Sequence, residues 1–179
     1  MKSEIEVKAR VRDAEAVVAK LADLGCALSE PITQDDFVYN KIGVDPKDHS
    51  HGTPVLRIRV QGERTIFTLK KNRSNELDCI EKEIDVSDKD ILADIFELLG
   101  YEKTIEVHKM RRKGAINGYE VCLDEVRDLG TFIEVEKMSD EDGAVVQKEL
   151  FDFLAQFGIR EEDRVLIGYD TQLWLKHNQ

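Results

Sequence analysis

The stretch SEIEVKAR (residues 3–10) alternates Glu4, Glu6 and Lys8 with Ile5, Val7 and Ala9. Side chains of a strand point to opposite faces at successive residues, so this is one strand with a charged face and an apolar face. The fold turns on which face points inward. Taken singly, such a strand buries its apolar side and leaves the charges in water.

The pattern recurs, however, and the repetition changes the balance. VLRIRV (55–60) places Arg57 and Arg59 on one face, and TIFTLKK (65–71) sets Thr68 and Lys70 opposite Phe67 and Leu69. CIEKEIDV (79–86) sets Glu81 and Glu83 against Ile80, Lys82 and Ile84, and VHKMRRKG (107–114) aligns Lys109 with Arg111. VCLDEV (121–126) puts Asp124 opposite Leu123, and TFIEVEK (131–137) sets Glu134 and Glu136 against Ile133 and Val135.

Three amphipathic helices need something apolar to cover. One runs from a capping Asp13 to Gly25, with Val17, Leu21 and Leu24 on its stripe. A second starts at a capping Ser87, with Asp90 three residues on, and stops at Gly100. The third spans about Asp140 to Gly158, with Val146, Leu150, Phe153, Leu154 and Phe157 on one side. If the apolar strand faces pointed into a lumen, these stripes would pack on charge, which is costly. Apolar faces turned outward under the helices satisfy both layers, and the charged faces then line the interior.

Strands are expected over 4–10, 36–42, 54–61, 64–71, 79–86, 104–113, 117–125 and 130–137. GERT (62–65) and Asn117-Gly118 read as hairpin turns. Most connections are too short for parallel crossovers, so the sheet should be antiparallel. The expected fold is α+β: a closed or nearly closed antiparallel eight-stranded β-barrel, a tunnel with a charged interior and helices packed outside. A faint echo between the two halves falls short of a repeat, and 1–179 is read as a single domain. The loop 45–54 and the tail 175–179 are the segments expected to be most mobile.

Such an interior collects seven carboxylates (Glu4, Glu6, Glu81, Glu83, Asp124, Glu134, Glu136) and six cations (Lys8, Arg57, Arg59, Lys70, Lys109, Arg111). Buried charges cost several kcal/mol each unless paired or ligated, so the arrangement calls for a functional reason. Arg grips phosphate oxygens bidentately and Lys adds point charge. All-oxygen acidic clusters suit hard cations such as Mg²⁺ or Mn²⁺, which also bridge phosphates. Together the two sets specify a polyphosphate with its metal ions.

Composition narrows the partners. The formal net charge of −11 repels nucleic-acid backbones and anionic membranes. Three widely spaced cysteines without a CxxC read as reduced thiols, the N-terminus is charged from Lys2, and no apolar run reaches membrane-spanning length. A cytoplasmic protein with no signal peptide, no membrane partner and no nucleic acid is expected.

EIEVKAR (4–10) matches the ExExK signature of the CYTH superfamily, the triphosphate tunnel metalloenzymes, which include class IV adenylyl cyclases and thiamine triphosphatases. The resemblance continues in order through LRIR (56–59), TLKK (68–71), EKEID (81–85), KMRR (109–112), LDEVRDLGTFIEVE (123–136) and GYDTQL (168–173). It implies a tunnel of antiparallel strands that holds a triphosphate with bound metal. By position, Glu4, Glu6, Asp124, Glu134 and Glu136 resemble the family's metal group. Lys8, Arg57, Arg59, Lys70, Lys109 and Arg111 resemble its phosphate group, while Glu81 and Glu83 match a variable acidic strand. Where the family often has Ser-Tyr before two leucines, this chain has Gly168-Tyr169 and Leu173.

The implied activity is metal-dependent, with Mg²⁺ or Mn²⁺, on ATP, tripolyphosphate or thiamine triphosphate. The cyclase-like reaction, ATP to cyclic AMP and pyrophosphate, is favoured. The alternative is a triphosphatase, and a non-catalytic polyphosphate binder ranks third. A homodimer is allowed for. Other features carry less: His49 and His51 read as an exposed loop, and His108 as an outward strand residue. Cys79 and Cys122 read as packing residues and Trp174 as a C-terminal anchor. There is no P-loop, no GxGxxG and no Ser nucleophile elbow.

Overall fold

Period-2 strands and short turns place β1 at Ser3–Arg10, β2 at Ile32–Lys41, β3 at Val55–Gln61 and β4 at Arg64–Asn75. There follow β5 at Asp78–Val86, β6 at Tyr101–Ile116, β7 at Tyr119–Val126, β8 at Gly130–Ser139 and a two-residue β9 at Arg164–Val165. Helices α1 (Ala14–Asp23), α2 (Lys89–Leu98), α3 (Gly143–Ala155) and α4 (Tyr169–His177) lie outside them. The computed structural model describes residues 3–48 and 52–178, so the expectation for His49 and His51 falls outside the described residues.

Eight strands follow one another round the sheet as β5-β4-β3-β2-β6-β7-β8-β1, every neighbour antiparallel. The barrel closes where β5 meets β1, through Glu4 opposite Cys79 and Ile5 opposite Asp78. The far end of β1 pairs instead with β9, Lys8 opposite Val165 and Ala9 opposite Arg164. The β6–β7 hairpin turns on Asn117 (φ 54°) and Gly118 (φ 81°), the left-handed pair that a two-residue turn of this kind requires. These two residues are therefore the turn itself, and β7 begins two residues later than the alternation suggests.

The apolar strand faces do point outward. Ile5, Val7, Ile133 and Val135 are fully buried beneath Val146, Leu150 and Leu154 of α3, with Val17 and Leu21 of α1 in the same cluster. On the opposite wall, Phe96 of α2 is buried against Tyr39 and Phe67, ring centroids 5.1 and 5.2 Å away.

Helix ends correct several expectations. Leu24 is 50% exposed, because it follows the last helical residue and has left the stripe. The cap of α2 is Asp88 rather than Ser87: its carboxylate accepts from the Asp90 and Ile91 N–H groups at 2.9 and 3.0 Å. Asp142, not Asp140, caps α3, which ends at Ala155. Helix α4 runs into the stretch 175–179 expected to be a mobile tail, which is helical as far as His177. Its first turn has no local cap; instead Glu76, from the β4–β5 connection, accepts from the Gly168 N–H (2.8 Å) and the Thr171 hydroxyl (3.0 Å). Among the described residues, no helix is long and apolar enough to cross a membrane.

Because Leu150 is fully buried between α3 and the outer barrel wall, Leu150→Ala should cost about 2–5 kcal/mol of unfolding free energy. Urea denaturation measures this, and a loss below about 0.5 kcal/mol would place the core elsewhere.

Candidate active site

The inward positions enclose a cavity of about 160 Å³. Twelve of the thirteen charged residues singled out from the sequence line it. The exception is Asp124, which is fully buried behind Lys109 and Arg111. Strand register sets opposite charges side by side: Lys8 faces Glu134, Lys70 faces Glu81, and Arg111 faces Asp124. This is the usual unit of sheet stabilisation, here turned inward.

Two ionic networks result. In the first, Arg111 donates to both oxygens of Asp124 (2.7 and 2.5 Å) and also to Glu134. Lys109 reaches Asp124 at 3.1 Å, and Lys8 reaches Glu134 at 3.1 Å and Glu6 at 3.5 Å. In the second, Arg57 donates to Glu81 (3.0 Å), Glu83 (3.1 Å) and the Thr68 hydroxyl (3.1 Å), while Lys70 approaches Glu81 at 2.7 Å. Arg59 grips Asp36 through two N–H groups at 2.6 and 2.8 Å.

Electrostatics divide the carboxylates into two kinds. Burial works against the charge of Glu81, but Lys70 and Arg57 outweigh it and hold its pKa at about 2. The same balance, burial against Arg59 and Arg57, keeps Asp36 below its ordinary value. Burial against Arg111 and Lys8 keeps Glu134 well below its own. Lys109 goes the other way: burial and the adjacent Arg111 bring it down to about 8.

Glu4, Glu6 and Glu136 form the second kind. One oxygen from each lies within 4.8 Å of the others. Burial, then Glu81, raises Glu4 to about 7; burial, then Glu4 and Glu6, raises Glu136 to about 9; burial and Glu134 also raise Glu6. Among the described residues, Glu4 and Glu136 have no hydrogen-bond or ion-pair partner. Three crowded, half-buried carboxylates short of positive charge form a donor set that fits a hard divalent cation. Asp124 and Glu134, placed by the sequence resemblance in the same metal group, stand apart from this trio and are occupied by Arg111, Lys109 and Lys8.

Farther along the same strands the inward positions become apolar. Val107, Val126 and Phe132 are buried there, and Tyr169 and Leu173 of α4 pack on them, closing that end of the cavity. Asp36 and Tyr169 were not anticipated as site residues, although Gln34, Asp36 and Asn40 share one face of the strand, interrupted by Val38. His108 points outward, 2.7 Å from Asp35. Trp174 is half-buried, with Lys47 Nζ 5.7 Å from its ring centroid, while Tyr169 and Leu173 are the buried apolar residues of α4. Burial raises Cys79 to about 12 and pushes Cys122 up as well, so both remain thiols.

A family model described as the CYTH domain matches residues 2–169. A protein of Methanocaldococcus jannaschii named as a putative adenylate cyclase is 28% identical over 170 residues, which is 93% of this chain and 95% of that protein. Among solved structures, one described as a putative adenylate cyclase from Vibrio parahaemolyticus has a TM-score of 0.80 at 20% identity, covering 96% of this chain and 98% of its own. A Hippeastrum protein, described as a putative adenylyl cyclase with a dominant triphosphatase activity, has a TM-score of 0.61 at 16% identity and covers 100% and 97%. The two structures share the fold.

The trio makes stability depend on pH and metal. Glu4 and Glu136, at about 7 and about 9 in the fold against an ordinary 4.5, hold protons there that the unfolded chain has released. Metal-free stability therefore falls as pH rises from about 5 to about 7.5. Glu81 acts oppositely but only below 4.5, and Lys109 only near and above 8. Thermal melts in EDTA should show this fall, and Mg²⁺ or Mn²⁺ should reverse it, most strongly at the higher pH. A flat profile with no metal response would remove the trio as a cation site.

Proposed function

The chain belongs to the CYTH family, and on that premise we propose that it is a metal-dependent enzyme acting on a triphosphate held in the barrel, by a class IV adenylyl cyclase-like reaction that converts ATP to cyclic AMP and pyrophosphate. One observation carries the proposal: a single cavity presents six cations and, beside them, a carboxylate trio of which, among the described residues, only Glu6 has a cation, Lys8, in reach. A simple phosphate binder needs the first set and not the second. The name of the Methanocaldococcus relative supports the cyclase form.

The residues divide the work. Lys8, Lys109 and Arg111 on β1 and β6, and Arg57, Arg59 and Lys70 on β3 and β4, bind the phosphate oxygens. In the free protein each is already aimed by a carboxylate, so little reorganisation accompanies binding. Asp124 and Glu134 fix Arg111, Asp36 fixes Arg59, and Glu81 with Glu83 fixes Arg57. Glu4, Glu6 and Glu136 would hold Mg²⁺ or Mn²⁺, which when bound neutralises and polarises phosphate oxygens. In the cyclase reaction the ribose 3′-hydroxyl loses its proton to solvent and its oxygen forms a bond to the α-phosphorus as the bond from that phosphorus to the β-phosphate oxygen breaks. Pyrophosphate then leaves.

A second form of the reaction uses the same residues: water attacks the terminal phosphorus of tripolyphosphate, thiamine triphosphate or a nucleoside triphosphate as its bond to the bridging oxygen breaks, the water's proton passes to solvent, and orthophosphate and the corresponding diphosphate leave. The closed end at Tyr169 accommodates it as it does the first, because an unsubstituted terminal phosphate fits a blind end. The activity described for the Hippeastrum protein lies in the same direction.

Purified protein incubated with ATP, tripolyphosphate or thiamine triphosphate and Mg²⁺ or Mn²⁺ should release cyclic AMP with pyrophosphate. Orthophosphate instead would select the second form, and tight binding without product would leave a binder. Glu6→Ala and Arg57→Ala should each lower kcat/KM by roughly 10²–10³-fold, whereas Lys82→Ala, on the outer face, should leave it within about twofold. Full activity in Arg57→Ala would dissolve the tunnel assignment.

A further inference from the structure

Tyr169 is 7% exposed and lies at the closed end of the cavity. Lys8 Nζ sits 4.0 Å and Lys109 Nζ 5.0 Å from its ring centroid, and Phe132 packs edge-on against it at 5.1 Å. The ring is thus fully employed by two ammonium groups and the apolar plug. Its hydroxyl is not: the oxygen is buried with no hydrogen-bond partner among the described residues. The charges that act on it, Glu134, Asp124, Arg111 and Glu6, all belong to the barrel interior, and burial keeps the phenol protonated.

A buried hydroxyl without a partner destabilises the free protein by the cost of its desolvation. Phenylalanine would retain the ring and its contacts and remove that cost. The O–H therefore finds its use in another state of the protein. Neutral and protonated, it can donate, and the ammonium groups of Lys8 and Lys109 beside it draw an anion to the same place.

We propose that the Tyr169 hydroxyl is a substrate ligand, donating a hydrogen bond to an oxygen of the innermost phosphate of the bound triphosphate and fixing how deeply the chain of phosphates enters. This rests on the triphosphate reading above and deepens it. The donor bonds to an unsubstituted phosphate, while the esterified end of a nucleotide faces away from the plug. Tyr169 positions the substrate and takes no proton in the reaction.

Tyr169→Phe is the test, with Lys8→Ala as reference. Titration of the whole protein with tripolyphosphate in Mg²⁺ should show roughly 10- to 100-fold weaker binding in Tyr169→Phe, the range for a hydrogen bond to a charged acceptor. Its ligand-free melting temperature should equal or exceed that of the unsubstituted protein, a combination that a packing role does not produce. Binding within twofold of the unsubstituted protein would overturn the proposal. So would a lower ligand-free melting temperature, since the hydroxyl would then already have a partner. If Lys8→Ala alone loses binding, the triphosphate reading stands and the role of Tyr169 falls. If the unsubstituted protein binds neither tripolyphosphate nor ATP, both fall.

Discussion

The guanidinium of Arg111, held between Asp124 and Glu134, is the constraint on which the interior depends. It ties β6 to β7 and β8, and through the Lys8–Glu134 contact it reaches β1. A buried charge that loses its partner is strongly destabilising, whereas a fully paired one is near neutral. The barrel can therefore carry charge on its inside only because register brings each cation opposite an acid. The stability of the fold comes instead from the outer wall, where apolar strand faces meet α1, α2 and α3.

Pairing also leaves a remainder. Once Arg111, Arg59, Arg57, Lys70, Lys109 and Lys8 have engaged Asp124, Asp36, Glu81 and Glu134, no cation is left for Glu4 or Glu136 among the described residues. The protein thus separates its acids by occupation: some are engaged by the interior cations, and others, Glu4 and Glu136, are engaged by none among the described residues. The distinction is one of neighbours rather than residue type, as Glu134 and Glu136 demonstrate two positions apart on one strand.

That distinction is what a sequence conceals. The inside-out character of the barrel is legible in the alternation of residues 3–10 and its six companions, joined to the helices' need for apolar partners. The division of five acids into a trio and a pair is not, because it depends on which residues of β1, β6, β7 and β8 come opposite one another. Asp36 went unnoticed because it sits in a run with Asp35, beside outward-facing Phe37 and Tyr39. Helix α4 was hidden because its cap, Glu76, lies 92 residues away from Gly168.

Strand β1 pairs along its whole length with β8, from Ser3 opposite Ser139 to Arg10 opposite Phe132. A chain emerging from a ribosome therefore carries Glu4 and Glu6 long before Glu136 exists, and β1 lacks its main neighbour until most of the chain is made. Contacts so remote in sequence are slow to form, which makes closure of the barrel a late event. Until that event Glu4 and Glu6 lie apart from Glu136, so the crowding of the three carboxylates is a property of the closed barrel alone.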